Sequence, residues 1–512
     1  MIRKRMLLAI AVVLVIGLFS TFGYAAPPKD PAVKVVIAQE PLTLDPTQFS
    51  SGNDRLVIDN WGEWLLNRDP DGKVVPGLAT AWKVSPDGKK IEFVLRKGVK
   101  FHSGDLMTAK DVLFSWERAK EKSRDVKSGM VRVEKIEIVD DYRITVHFKQ
   151  PDVVFILNLA WCPVVSKAYF DRVGENTFTT KPSGAGPYKV VEYRSGEYVD
   201  IERFEEYYGK KPQIKKARIY FVGEDSTRLA KLKAGEVDLI QNVPFTDIKE
   251  LGQSPNFRLV KWATLHPTRS ILFGLNNSKV PWYKKEVRQA MALAINGEAI
   301  VSQILYGVPI RLGGLAPHEL GYDPAVKPYP YDPKKAKALL AQAGYPNGFE
   351  MTFYWQSGGR NPMTKEIVEA IAAYWESVGI RTKLVGEDTA ATLSRRSASV
   401  KPDAVYVGFY TAGFAGGVDP TQPLNSYFNS EGRSPVYTTP ELSKVIQEAL
   451  TTMDVKKRAE LIKKAVKYVH EDVGIIPVHN TVVVWAMKKN INYNPTLKVN
   501  FDFLYVKNMS VN

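Results

Sequence analysis

Between Pro76 and Arg118 the chain changes hydrophobic period once, and that change constrains what the region can fold into. Ile91, Phe93 and Leu95 occupy alternate positions, as on a half-buried strand. Asp87-Gly88 just ahead of them is a hairpin turn signal. Thr108 with Asp111 three positions on is a capping-box-like helix start, its acid shorter than the usual Glu or Gln. Val112, Trp116 and Ala119 then share one helical face. The stretch reads as strand, turn and capped helix, which by itself names no function.

The first residues read as a processing signal. Arg3, Lys4 and Arg5 precede an almost wholly apolar run from Met6 to Phe22, and Gly23-Tyr24-Ala25 supplies the small residues of a cleavage site. Cleavage is expected after Ala25. A retained anchor is the competing reading, because a run of roughly 17 apolar residues is at the lower limit for spanning a bilayer. No Cys lies near the site, so a lipid anchor on a cleaved N-terminal Cys is not expected. The expected product is a free periplasmic protein.

Cys162 is the only cysteine, so an exported chain of this kind has no internal disulfide and relies on burial for stability. Its length allows two to four domains with large cores. Removing residues 1–25 takes away three cations and no acids, lowering the formal charge from +15 to +12. The Lys and Arg are scattered and no run of five like charges occurs, so nucleic-acid binding is not expected. A solvated basic surface is the default.

From Ala32 onward short strands mix with amphipathic helices, and no long linker interrupts them. Strands are expected at Val33–Ala38 and Arg143–Phe148, and a short helix at Thr227–Ala234 closed by Gly235. Lys285–Ile295 carries Val287, Ala290, Met291, Ala294 and Ile295 at helical spacing. Lys334–Ala343 repeats the pattern and Gly344 ends it. Asn361-Pro362 precedes a stripe of Ile367, Ile371, Tyr374 and Val378, and Thr439-Pro440 opens a helix with Leu442, Val445, Ile446 and Ala449. These stripes are core faces. No repeat and no low-complexity tract is present.

Several strings together resemble the bacterial extracellular solute-binding proteins of family 5, the peptide- and nickel-binding group. They are PGLATAWKVSPDGKKIEFVLRKGVKFHSGDLMTAKDVLFSWER (76–118), PSGAGPYKV (182–190), RLAKLKAGEVDLI (228–240), VRQAMALAINGEAIVSQILYG (287–307) and YDPKKAKALLAQAGYPNGFEMTFYW (331–355). Each is weak alone; their order and spacing are specific. The resemblance implies a two-lobe α/β periplasmic binding protein fold that closes on a ligand. Lobe I would hold residues 26–268 plus 479–512, with an extra subdomain at about 72–180. Lobe II would hold 269–478. Segments Thr268–Asn276 and Pro477–Asn480 would form the hinge. The implied role is that of a monomeric receptor handing a small-molecule or peptide ligand to an inner-membrane ABC permease.

No catalytic constellation stands beside this. GxxxxGK[ST], GxSxG and HExxH are all missing, so ATP hydrolysis would belong to a separate subunit. No two of the six histidines, His102, His147, His266, His318, His470 and His479, share a helical turn, so no metal or other cofactor is expected. His102, in the FHSGD loop, reads as structural. Gly184 and Gly186 read as a tight turn rather than a phosphate loop. The chain is not expected to be an enzyme.

The resemblance also suggests ligand contacts. In dipeptide-binding members an Arg follows the strand after a Gly-Phe pair and holds the peptide carboxylate; here Arg360 falls at that distance from Gly348-Phe349. A guanidinium suits the task because its planar fork pairs bidentately with a carboxylate. The same members place an Asp three positions before an Asp-Pro pair, where it holds the peptide's amino group. Here Asp419-Pro420 has Gly416 at that position, and no acid lies between Val407 and Val418. Asp419 itself reads as a turn or helix-start residue. Trp355, Phe409, Tyr410 and Phe414 are candidates for the pocket wall, with core packing as the competing reading, and Phe49 and Ser50 follow the Leu-Asp-Pro segment at 44–46. The leading expectation is a receptor for di- or oligopeptides or peptide-like solutes. The alternatives are a receptor for a non-peptide carboxylate or other small solute, and a chaperone-like binding protein.

Overall fold

Ile475 to Met487 is buried at every position, so this run must lie inside a sheet covered on both faces. The computed structural model places it there. It describes residues 33–48, 52–69, 73–153, 155–158, 162–357, 363–399, 401–411, 414, 419–432, 435–493 and 504–512. The strands used below are β1 (Val33–Ile37), β2 (Ala79–Val84), β3 (Lys90–Leu95), β4 (Val133–Asp140), β5 (Arg143–Phe148), β6 (Tyr188–Arg194), β7 (Tyr198–Arg203) and β8 (Lys216–Phe221). They continue with β9 (Leu239–Ile240), β10 (Phe257–Phe273), β11 (Phe349–Gln356), β12 (Ile380–Glu387), β13 (Val407–Thr411) and β14 (Ile475–Lys488). The helices are α1 (Gly52–Trp61), α2 (Ala109–Lys122), α3 (Asp225–Lys233), α4 (Lys285–Leu293), α5 (Pro333–Gln342), α6 (Thr364–Glu376), α7 (Thr389–Ala398), α8 (Thr421–Phe428), α9 (Pro440–Thr451) and α10 (Val455–Glu471).

The main sheet has ten strands in the order β12-β11-β13-β10-β14-β9-β1-β8-β7-β6. Its spine is the antiparallel pair β10–β14, in register from Phe257↔Lys488 to Leu272↔Ile475. On one flank β11 runs parallel to β12 and β13; on the other β1 runs parallel to β8 and β9. The β11–α6–β12 crossover is fixed by packing. Ile367, Ile371 and Trp375 of α6 are buried, the Trp375 ring meets Phe353 at 4.9 Å, and its N–H donates to the Met291 carbonyl at 3.0 Å.

A second sheet, β2-β3-β5-β4, carries the strand, turn and helix read from Pro76 to Arg118. Gly88 takes the left-handed conformation (φ 69°) in the turn between β2 and β3, and its N–H donates to the Ser85 carbonyl at 2.9 Å. Ile91, Phe93 and Leu95 point into the core. The Asp111 carboxylate accepts from the Thr108 N–H at 2.9 Å, the backward half of a capping box. Val112, Trp116 and Ala119 are buried, and the Trp116 ring meets Phe93 and Phe155 edge-on. The other helical stripes lie where their periodicity predicts, with Gly235 and Gly344 at φ 76° and 94° just beyond α3 and α5. The cap expected from Asn361-Pro362 lies outside the described residues, as does the expected cleavage site.

Buried arginines join these parts. Arg118 of α2 donates to the buried Asp45 carboxylate at 2.6 Å and to Glu175 at 3.2 Å, with its guanidinium over Phe170. This ties the second sheet's helix to the Leu-Asp-Pro segment. Arg228 of α3 donates to the carbonyls of Val222, Gly223, Gln241 and Asn242, tying together the exits of β8 and β9. Arg288 of α4 does the same for Trp282, Tyr283, Asp472 and Val473 at the entry to β14. Gly184 and Gly186 pass against Trp61: a Cβ on either would lie 2.5–2.6 Å from its carbonyl oxygen. Close approach to that backbone, rather than a positive φ, is what requires glycine. His102 seals the same turn, with Nε2 3.0 Å from the Gly186 oxygen and Nδ1 accepting from the Gly184 N–H at 3.3 Å.

Removing one partner of a buried ion pair leaves the other charge uncompensated, at about 3–5 kcal/mol. Arg118→Met is therefore expected to lower the unfolding free energy in urea by about 3 kcal/mol or more. A loss under about 1 kcal/mol, the value of a surface pair, would show that the Asp45 link carries no such role.

Candidate ligand-binding crevice

The β10–β14 ladder is interrupted twice near its middle, between Ala263 and Thr268 and again between Arg269 and Ser270. Ala263 pairs with Val482 and the next pair is Thr268 with Asn480, so residues 264–267 stand opposite residue 481 alone. A bulge of this size bends and twists a strand pair. Both sets of parallel strands end toward it. β13 finishes at Thr411 opposite Arg269. β9 leads to Val243, whose N–H donates to the Val484 carbonyl. The carboxyl ends of two parallel strand groups thus face one another across the bulge. In open α/β sheets that crevice is where ligands bind, because loops and helix N-termini converge there and leave backbone donors unpaired.

The strand segments at the crossing are polar although the strands around them are apolar. Thr268, Arg269 and Ser270 on β10 and His479, Asn480 and Thr481 on β14 are all buried. Arg269 pairs in register with His479 and lies with its guanidinium 4.5 Å from the Phe409 ring centre. Its Nη2 is 3.5 Å from the Thr364 hydroxyl, at the start of α6. Burial pushes this guanidinium down to about 10, and the nearby Tyr410 phenol acts against the shift. His479 is pushed down to about 4, first by burial and further by the Arg269 cation. Its Nδ1 lies 2.8 Å from the Asn480 carbonyl oxygen, while Nε2 meets no hydrogen-bond partner among the described residues. Asn480 anchors the crossing by a reciprocal pair with Ile310, at 2.9 and 2.6 Å.

Around β13 the sequence-derived candidates divide. Phe409 is fully buried beneath Arg269. Tyr410, on the opposite face, is half-buried with the Arg396 guanidinium 4.4 Å from its ring centre. Trp355 pairs in register with Phe409 and stays half-buried; a Cβ on Gly386 would come within 3.0 Å of its ring. Phe414 stacks on Phe428 at 5.2 Å within the core formed by α8, α9 and α10. Trp355, Phe409 and Tyr410 are thus brought together at the strand ends, and Phe414 packs into that core. Arg360, Phe49 and Ser50 lie outside the described residues. Residues 358–362 connect the carboxyl end of β11 to α6. Asp419 accepts from the Thr421 N–H and hydroxyl at the start of α8, and its other oxygen accepts from Arg458 at 3.0 Å.

Arg269, His479 and Thr364 were not singled out by sequence reasoning. A signal existed: each hinge segment carries a basic or ring-nitrogen residue inside an apolar strand. It lacked the register that pairs them. Among the described residues no group of three or more His, Cys, Asp or Glu could hold a metal ion. Cys162 is buried, with its thiol driven up by desolvation, which makes it a poor nucleophile.

A sequence profile of the bacterial extracellular solute-binding proteins, family 5, middle region, matches residues 73–434. The chain belongs to this family. A family-5 relative, the di/tripeptide-binding protein 1 of Pseudomonas aeruginosa, is 30% identical over 509 residues, covering 91% of this chain and 93% of its own. Among solved structures, the periplasmic binding protein DppA of Helicobacter pylori, in complex with the peptide STSA, superposes with a TM-score of 0.82. It is 27% identical and covers 94% of this chain and 98% of its own. AgaA of A. tumefaciens R10, in complex with agropinic acid, gives 0.81 at the same identity and coverage. The fold of this family-5 protein is the mixed α/β fold of periplasmic binding proteins.

His479 makes the family-5 core sensitive to acid. Above its usual value of 6.5 the ring is neutral both folded and unfolded. As pH falls from 6.5 toward 4, the unfolded chain takes up a proton that the folded chain refuses, so stability is lost across that window. The shift corresponds to about 3 kcal/mol. His479→Asn is expected to flatten the pH dependence of unfolding free energy between pH 6.5 and 4 by about that amount. An unchanged slope would mean that the ring is protonated in the folded protein.

Proposed function

We propose that this family-5 protein is the solute receptor of an ABC importer, taking a peptide or peptide-like solute into the crevice over the β10–β14 bulge. The observation that carries the reading is the convergence of two parallel strand groups on a buried polar floor. A few buried polar side chains among apolar and aromatic ones is the usual make-up of a solute pocket. The names of the di/tripeptide-binding and peptide-bound relatives support the peptide class.

In this reading residues 26–268 with 479–512 form one lobe, carrying an extra subdomain at about 72–180, and residues 269–478 form the other. The bulge is the hinge. The open form admits solute, the lobes close, and the closed form docks on an inner-membrane permease whose ATPase is a separate subunit. Solute drives closure only by binding the closed state better than the open one. The receptor acts as a monomer in the periplasm after removal of residues 1–25, without a lipid anchor. No helix among the described residues is long and apolar enough to cross a membrane.

Thermal-shift screening with a di- and tripeptide library tests the class. A solute at a hundred times its Kd adds about 2.7 kcal/mol of stability, so a binder should raise Tm by several degrees. A library without effect, beside a shift with a non-peptide acid, would remove the peptide label and keep the receptor. Arg360, in the connection from β11 to α6, is proposed to hold the solute carboxylate. Arg360→Ala should weaken binding at least tenfold, about 1.4 kcal/mol. Unchanged affinity in a folded variant would remove that assignment.

A further inference from the structure

We propose that the contact between the second sheet's subdomain and helix α9 is a reversible clasp that holds the two lobes together; this rests on the two-lobe reading above and not on the identity of the solute. The two sides of the contact hang from opposite flanks of the main sheet. The second sheet is fixed to the segment from Asp45 to Glu63, by the Arg118–Asp45 pair and by the Val164 N–H, which donates to the Glu63 carbonyl at 2.9 Å. Helix α1 of that segment shares a core with β1 through Leu56 and Val57. Helices α8, α9 and α10 instead share a core with Leu272 of β10, Tyr354 of β11 and Tyr406 beside β13. The β10–β14 spine joins the two flanks at one place. The contact with α9 joins them at a second, through residues far apart in the chain.

Three interactions of different kinds make the contact. The Val153 N–H, just beyond β5, donates to the Leu450 carbonyl at 3.1 Å. Leu450 lies in the last turn of α9, where helix carbonyls have no partner within the helix. Arg132, just ahead of β4, is buried; its Nη2 donates to the Gln447 side-chain oxygen at 2.8 Å and its Nη1 lies 4.0 Å from the Asp152 carboxylate. The Gln447 amide nitrogen in turn donates to Glu431 at 2.9 Å, so a line of polar groups crosses the boundary from Asp152 to Glu431. In the turn between β2 and β3, a Cβ on Gly88 would lie 3.3 Å from Cγ and Sδ of Met453, just past the end of α9.

The make-up of the contact is what marks it as reversible. The cores of the second sheet and of α8–α10 are separate, and among the described residues Val153 is the one apolar side chain from about 72–180 packed against the latter. A permanent join between domains is large and hydrophobic, whereas a small polar one lets them move. Parting also strands no charge: Arg132 keeps Asp152 on its own side, and Gln447 keeps Glu431. The Arg118–Asp45 pair is the opposite case, since separating it would leave a buried carboxylate uncompensated. A clasp of this kind sets the fraction of molecules that are closed before solute arrives. Apparent affinity falls in proportion to that fraction, so these residues tune solute affinity without touching solute.

The test is hydrogen exchange of the solute-free protein, together with its radius of gyration from small-angle scattering. The Val153 amide reports the clasp directly, because its acceptor lies on the other side. It is expected to exchange at least about tenfold faster than the amides of Phe93 in the second sheet and Ile446 in α9, through openings that leave both units folded. Gln447→Lys sets a cation against Arg132 while giving Glu431 a partner on its own side. It should speed Val153 exchange by at least about a further tenfold, leave Phe93 and Ile446 unchanged, and enlarge the radius of gyration. Val153 exchanging in step with Phe93 and Ile446 would mean a permanent join and overturns the proposal. So does an unchanged Val153 rate in the variant, and so does a faster rate with an unchanged radius, which is local fraying. Should the Lys variant fail to fold, Gln447→Ala is read the same way, with at least about a threefold change expected. No solute is present in any of these measurements, so their outcome stands apart from the peptide reading, which the thermal-shift screen decides.

Discussion

The antiparallel pairing of β10 with β14 is the interaction on which the rest of the molecule depends. β10 adjoins one flank of the ten-stranded sheet through β13 and β14 the other through β9, and their ladder is what makes that sheet continuous. β14 is buried along almost its whole length, so its apolar side chains bind the two flanks into one core. The ladder's larger interruption is where residues 264–267 face residue 481, with a smaller shift between Arg269 and Ser270 beside it, and both lie where the parallel strands end. A continuous ladder would give a stiffer sheet. The bulge supplies a place where the backbone can bend without losing the pairs on either side.

Buried arginines meet three different needs. Arg228 and Arg288 satisfy backbone carbonyls at strand exits and entries, where the regular ladder has ended and the oxygens would otherwise be buried without donors. Arg118 compensates a buried carboxylate and joins the second sheet to the N-terminal segment. Arg269 sits instead among an aromatic ring, a hydroxyl and a histidine held neutral, at the crossing itself. The first three are read from the fold they stabilise. The fourth is read from the chemistry it can offer to a solute.

Local structure was legible in the sequence wherever the cause was local. The turn at Gly88, the Thr108–Asp111 start of α2 and the stripes of α4, α5, α6 and α9 each depend on residues within a few positions. Family resemblance supplied the receptor reading, which no local pattern could. The crevice floor was not legible, because Arg269 and His479 meet only through the register of two strands far apart in the chain. The aromatic candidates show the same limit. Phe409 and Phe414 looked alike as bulky residues on one loop, yet the first lies under the Arg269 guanidinium and the second stacks on Phe428. Strand alternation and helix packing separate them, and both depend on tertiary structure.

The central claim is that solute binds over the β10–β14 bulge, between the facing strand ends. Hydrogen exchange with and without a saturating di- and tripeptide mixture tests it most directly. The account predicts new protection at residues 37–42 and 241–243 on one side, 355–357 and 409–411 on the other, and 268–270 at the crossing, with the second sheet little changed. Protection confined to the second sheet or to the outer faces of α9 and α10, with none at the strand ends, would contradict it.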